Sequence, residues 1–314
     1  MAEADVGDDA YREDPTVRAL EEEFAARVAK PAALFVPSGT MGNQLALRVL
    51  GRPGTLVLAG RRSHVVAHEN GAAGLNAAVQ LGPLDDDGGT VTAADVSWAL
   101  AAASHHWPAP SLLCLENTSM PDSGAVIPAA TIATLAGLGL ATHLDGARLW
   151  NAEVASGTSV AAFSRPVTTV MCCLSKGLCA PVGSLLAGPV DVIDEARAQR
   201  QRLGGGMRQA GVIAAAGLVA LRSMVERLAD DHRRARMLAD AVAERWPDAR
   251  TSMERVATNI VTFPHADAGG LCAHLARHGV LAGTIAPGVM RLVTHHDVDD
   301  AGIERARVAI ASAP

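Results

Sequence analysis

Cys172-Cys173-Leu174-Ser175-Lys176-Gly177-Leu178 is the stretch on which the fold turns. The β-branched run at 167–170 before it reads as a buried strand, so Lys176 falls just past a strand end. In open α/β sheets, ligands bind at the carboxyl ends of strands. Two other stretches have the same form. Ala141-Thr142-His143-Leu144-Asp145-Gly146 reads as a strand ending in a carboxylate, and Phe35-Val36-Pro37-Ser38-Gly39-Thr40 as a strand running into a helix start. A lysine, an aspartate and a phosphate-sized helix mouth, each at a strand end, are the parts a pyridoxal phosphate site needs. A surface lysine behind a core strand is the plain alternative.

The rest of the chain is an alternation of short strands and helices. Asp14-Pro15-Thr16 opens a helix, with Asp14 as cap and Pro15 at its first position. Val17, Leu20, Phe24 and Val28 mark its apolar face, and Glu21 to Glu23 are expected mostly to face water. Strands are expected at 32–36, 55–58, 111–115 and 141–144, with 185–187 returning antiparallel; helices follow Ser38, Thr92 and Pro128, and another is expected over 191–202. A long helical region is expected over 209–244, bent before Asp230. Beyond Trp246-Pro247, strands at 259–263 and 289–293 and helices at 269–278 and 298–311 read as a small α+β domain. The pattern implies a mostly parallel sheet covered on both faces.

Composition limits the function. With 314 residues, the chain has a prior of about two domains and ample length for a core. Apolar residues make up 49% and aromatics 3%, so small aliphatics are expected to build that core. A net charge of -6, with no basic stripe, points away from nucleic acid. The five cysteines (Cys114, Cys172, Cys173, Cys179 and Cys272) have no metal-ligand spacing and are expected to be reduced structural thiols. His64, His68 and Glu69 make no HExxH pattern, and Asp85-Asp86-Asp87-Gly88-Gly89 is a turn cluster without the alternation of a calcium loop, so no metal is expected. The acidic residues 1–9 do not resemble a signal or transit peptide, and the apolar run 212–221 is too short to span a bilayer. A cytoplasmic protein with no membrane partner is expected.

Several long motifs, in order, resemble one family. They are Tyr11-Arg12-Glu13-Asp14-Pro15, Phe35 to Gln44, His143-Leu144-Asp145-Gly146-Ala147-Arg148, Leu174 to Ser184, and Gly204-Gly205-Gly206-Met207-Arg208-Gln209. Together they are similar to the low-specificity L-threonine aldolases, which are pyridoxal phosphate enzymes of the aspartate-aminotransferase fold. The resemblance implies a fold type I α/β architecture, with a large cofactor domain over 1–230 and a small C-terminal domain over 231–314.

It also implies roles. Lys176 would bond to the cofactor, Asp145 would pair with its ring nitrogen, and Ser38, Gly39 and Thr40 would hold its phosphate. Arg208 would reach a phosphate across a subunit interface, and His64 would stack on the ring. Arg148, beside the cofactor, and Arg291 would hold the substrate carboxylate, a task that suits a guanidinium fork. The base that takes the β-hydroxyl proton would be His64 or a water. Ser119 stands where relatives carry a histidine that contacts the substrate hydroxyl, and Gln201 where a lysine often helps with phosphate. Relatives also have an Arg-Ser-Asp-Thr segment ahead of the point where this sequence begins. The implied activity is retro-aldol cleavage of a β-hydroxy-α-amino acid to glycine and an aldehyde, in a homotetramer of site-sharing dimers. The alternatives are β-elimination on the same substrates, or a cofactor-binding protein without turnover.

Overall fold

The computed structural model describes residues 1–314, the side chain of Thr251 excepted. Seven strands form one sheet: β1 (Ala32–Val36), β2 (Leu56–Gly60), β3 (Gln80–Leu84), β4 (Pro110–Glu116), β5 (Ala141–Asp145), β6 (Thr169–Cys173) and β7 (Ser184–Gly188). Their order is β1-β7-β6-β5-β4-β2-β3. From β6 to β3 every neighbouring pair is parallel, whereas β7 runs antiparallel to both β6 and β1. Parallel neighbours need crossover helices, which cover both faces of the sheet. Hence β2, β6 and β7 are buried at every residue and read as continuous apolar runs.

Successive residues of each strand feed opposite faces. Phe35, Val170 and Cys172 join a core with Leu20, Phe24 and Leu58. Their neighbours Leu34, Val36, Met171 and Cys173 join another with Leu45 and Ile193. The helices Pro15–Arg27 and Gly211–Ser223 cover the first face, and Gly39–Leu50 and Val190–Arg202 the second. Asp14 caps the first helix, accepting from the N–H of Thr16 and Val17 (3.1 and 2.9 Å), and its second oxygen accepts from Gly211 N–H at 2.8 Å. One cap therefore binds two helices to each other.

A second, antiparallel sheet has the order β8 (Ile260–Pro264), β10 (Val289–Val293), β9 (Gly283–Ala286). It packs with the helices Leu228–Arg245, Ala268–Arg277 and Asp300–Ala311 around Leu238, Val242, Phe263, Leu271 and Met290.

Three expectations are corrected. Glu21 does not face water: it is buried, accepting from Phe35 N–H and Arg197, each at 2.8 Å. Burial raises its pKa, and Arg197 opposes that shift. The single helical region 209–244 is two helices, Gly211–Ser223 and Leu228–Arg245, with the break at 224–227. All five cysteines are free, but Cys179 is exposed, at φ +62°, and is no core thiol. β3 and β9 were not expected. β3 is an edge strand containing Gly82 and Pro83, and both residues weaken a strand signal and are tolerated at an edge.

Gly183 closes the segment that carries Lys176. Its carbonyl accepts from Leu174 and Ser175 N–H (3.0 and 3.3 Å). Its φ is +111°, and a Cβ there would lie 2.4 Å from Phe35 Cε2. Gly183→Ala is therefore expected to destabilise the chain by about 2–4 kcal/mol, from backbone strain and overpacking together. Urea unfolding measures this, and a loss under about 0.5 kcal/mol would contradict the packing described.

Candidate active site

Parallel pairing sets the strand ends side by side. Glu116 at the end of β4 pairs with Asp145 at the end of β5, and Asp145 pairs with Met171 of β6, five residues before Lys176. Above these ends lies a cavity of ≈ 290 Å³. Lys176, Asp145, His64, Arg148 and Arg291 all line it, brought from both sheets. Larger cavities of ≈ 340 and ≈ 520 Å³ lie against the Asp300–Ala311 helix and beside Trp98 and Trp107, and contain none of these residues.

Asp145 is buried; Oδ1 accepts from Ala147 N–H at 3.1 Å and Oδ2 from Asn43 Nδ2 at 2.7 Å. His64 opens the short helix His64–Ala67 just after β2. Its Nδ1 meets Glu69 Oε1 at 2.8 Å, and this hydrogen bond raises its pKa against the opposing effect of burial. Arg148 is half-buried, and its buried Nε has no hydrogen-bond partner. Burial lowers its pKa. Arg291 arrives from β10 and donates to Met120 Sδ at 3.3 Å.

The five remaining expected residues lie off this cavity. Ser38 caps the helix Gly39–Leu50, accepting from Met41 N–H at 3.2 Å, with Thr40 exposed beside it. Gly39 abuts the end of β6: a Cβ on it would lie 2.8 Å from Cys173 Sγ. Arg208 is at the surface, 2.6 Å from Asp8. The fifth, Ser119, stands where relatives carry the histidine. Its hydroxyl donates to Asp122 at 2.8 Å, Asp122 is held by Arg62 at 3.0 Å, and Ser119 lines a separate narrow space with Gly60 and Asp86.

Sequence reasoning assigned no role to Glu116, Thr118, Asn43 or Glu69. Glu116 and Thr118 line the cavity, and Thr118 Oγ1 is buried without a partner. Asn43 is fully buried. The missed signal is two amides, Asn43 and Gln44, in the apolar stretch of a helix, where polar groups need buried partners.

Glu116 accepts from His64 N–H at 2.7 Å and Met120 N–H at 3.3 Å. Burial, and then the Asp145 charge, push its pKa from 4.5 up to about 7. The folded chain keeps this proton at pH values where the unfolded chain releases it. Stability therefore falls as pH rises from about 4.5 to about 7 and levels off above. Glu116→Gln has no proton to release and is expected to remove roughly 1–3 kcal/mol of that fall. Urea unfolding at pH 5 and pH 8 checks it; equal losses in both proteins would refute the assignment.

The chain is similar to known proteins along most of its length. The β-eliminating lyase family model matches residues 1–267. The probable low-specificity L-threonine aldolase 2 of Arabidopsis thaliana is 39% identical over 97% of this chain and 89% of its own length. The low specificity L-threonine aldolase of Escherichia coli is 37% identical over 95% and 89%. The solved structure of Leishmania major threonine aldolase superposes with a TM-score of 0.83 at 20% identity, covering 99% of this chain and 92% of that one, and shows the shared fold. The mostly parallel sheet is that of the fold type I pyridoxal phosphate enzymes. The family-model match and the relatives along nearly the whole chain make this protein a member of the β-eliminating lyase family, among the low-specificity L-threonine aldolases.

Proposed function

We propose that the chain is a pyridoxal phosphate-dependent lyase that cleaves L-threonine, L-allo-threonine or a related β-hydroxy-α-amino acid to glycine and an aldehyde. What supports this, beside the family, is the convergence of Lys176, Asp145, His64, Arg148 and Arg291 on one cavity.

The residues present fit the cofactor. Arg148 Nε and Thr118 Oγ1 are buried polar atoms without a partner in the chain. Gly39 allows a helix N-terminus to approach the end of β6 closely, as a phosphate cradle requires. Lys176 would hold the cofactor covalently, Asp145 would face its ring nitrogen, His64 would stack on the ring, and Ser38, Gly39 and Thr40 would take the phosphate. Bound there, pyridoxal phosphate supplies an electron sink for the pair released from the broken bond.

The protein's own groups do the rest. Arg148 and Arg291 grip the substrate carboxylate and set which bond at Cα stands perpendicular to the ring. His64, directly or through a water, takes the β-hydroxyl proton as the Cα–Cβ bond breaks and the aldehyde leaves. A proton returned to Cα completes glycine. Purified protein with cofactor and L-allo-threonine is expected to release glycine and acetaldehyde; silence across a panel of β-hydroxy amino acids would overturn the proposal.

Ser119, turned away towards Asp122, supports a second reading. Without that contact to the hydroxyl, β-elimination would yield ammonia and a keto acid in place of glycine, and the same assay separates the two. Residues 1–230 would form the cofactor domain and 231–314 the small one. The exposed Arg208 beside its glycine turn supports a homotetramer of site-sharing dimers, with Arg208 reaching a neighbour's phosphate. Five free cysteines suit a reducing, cytoplasmic compartment. Among the described residues, no helix is long and apolar enough to cross a membrane.

A further inference from the structure

Behind the cavity lies a chain of buried polar groups that the proposed mechanism does not use. Its centre is Asn43 on the helix Gly39–Leu50. One oxygen and one nitrogen of this amide meet three different partners. Nδ2 donates to Glu69 Oε1 at 2.8 Å and to Asp145 Oδ2 at 2.7 Å, while Oδ1 faces His143 Nε2 at 3.0 Å. The opposite amide orientation would place an acceptor against two carboxylates, so the chemistry fixes this one.

The orientation then fixes the rest. Burial lowers the pKa of His143 to about 4, so its ring is neutral at neutral pH. An amide oxygen only accepts, so His143 Nε2 carries the proton, and Nδ1 accepts from Thr169 Oγ1 at 2.9 Å. The side chain of Glu69 is fully buried and holds three donors: Asn43, Gln44 Nε2 at 2.6 Å and the His64 ring at 2.8 Å. A carboxylate so bound is an acceptor only. His64 Nδ1 must therefore carry a proton, and Nε2 is the nitrogen left for the cavity that His64 lines.

We propose that Glu69 is a positioning residue: by accepting the Nδ1–H of His64 it presents Nε2 to the cavity as the proton-accepting atom, and Asn43 ties this pair to Asp145. The proposal rests on the lyase reading for its chemical consequence, but its geometry is independent of turnover. The same hydrogen bond makes His64 a stronger base, as a buried carboxylate does for an imidazole in acyl-transfer enzymes. Other groups face this ring too. Asp145 favours its charged form and Lys176 opposes it. Glu116 accepts its backbone N–H, and the His68 ring lies 5.7 Å away by centroid.

The test uses the full chain, labelled with ¹⁵N and ¹³C in its histidine rings, with His64→Asn to assign the signal. Above the titration midpoint, His64 is expected to carry its proton on Nδ1 with Nε2 bare; the reverse tautomer overturns the proposal without any variant at Glu69. Glu69→Gln is expected to lower the His64 midpoint by at least about one pH unit, and Glu69→Asp by less. An unchanged midpoint in Glu69→Gln also overturns it. In the cofactor-loaded enzyme, kcat of Glu69→Gln is expected to fall on the order of 100-fold with little change in KM, and the acid limb of its pH profile to move to lower pH. Equal losses in kcat and affinity with an unmoved limb would mark Glu69 as a structural residue only. If the titration results hold and no substrate turns over, the lyase reading fails while the positioning geometry stands.

Discussion

Lys176→Ala is expected to reduce cleavage of L-allo-threonine by about 10⁴-fold or more, the scale on which loss of a covalent catalyst is felt. The reason is positional. Lys176 enters the cavity from the segment after β6, and no other lysine lines that space. The substitution removes both the amine proposed to fix the cofactor and a cation close to Asp145 and His64. Borohydride reduction supplies a readout that does not depend on turnover. In the wild-type chain it should fix the cofactor permanently and raise the protein mass; in Lys176→Ala the mass should stay that of the bare chain. Lys176 is only half-buried, so the variant should unfold at nearly the wild-type urea concentration. A variant that still carries reduced cofactor, or keeps a tenth of its activity, would show that another amine does this work.

Arg148→Met should push activity and stability in opposite directions. Arg148 is half-buried, its buried Nε has no partner, and desolvation together with the Arg291 charge lowers its pKa, so the folded chain tolerates a charge in a place that disfavours it. Replacing it with an apolar side chain of similar length should stabilise the ligand-free protein by about 1–3 kcal/mol. The same change removes a charge-assisted fork from the proposed carboxylate site and should cost about 3–5 kcal/mol in kcat/KM, or 10²- to 10⁴-fold. Thermal unfolding and steady-state kinetics on one preparation test both signs. A variant both less stable and as active as wild type would place Arg148 in the scaffold and not on the substrate.

Much of this was legible in the sequence because strand ends announce themselves. A β-branched run followed by Ser175-Lys176-Gly177 and an apolar run closed by Asp145 each have one simple reading, and parallel pairing then puts their ends together. Three kinds of feature were not legible. Ser119 stands where relatives carry a histidine, and its hydroxyl donates to Asp122, whose own position depends on Arg62 from another loop. Glu21 sits in a run of three glutamates that looks solvated, yet β1 and the helix Val190–Arg202 close over it with Phe35 N–H and Arg197. Asn43 and Glu69 are 26 residues apart, and nothing in that spacing says they meet. Each concerns a polar side chain whose surroundings depend on a distant segment. Apolar periodicity reports which face is buried but not what a buried polar group will find there.

Arg148 follows β5 of the larger sheet, while Arg291 sits on β10 of the smaller one. Their supports are separate hydrophobic clusters, joined by the helix Leu228–Arg245 and by the loop where Ser123 meets Thr262 and Gly124 meets Thr258. A carboxylate gripped from both sides, as proposed, would act as a strap between two bodies that could otherwise melt in turn. On slow heating, catalysis should vanish before most of the helical signal does, because loosening the smaller body withdraws one half of the grip. A bound amino acid that cannot be cleaved should draw the two events together, turning a staggered collapse into a single one.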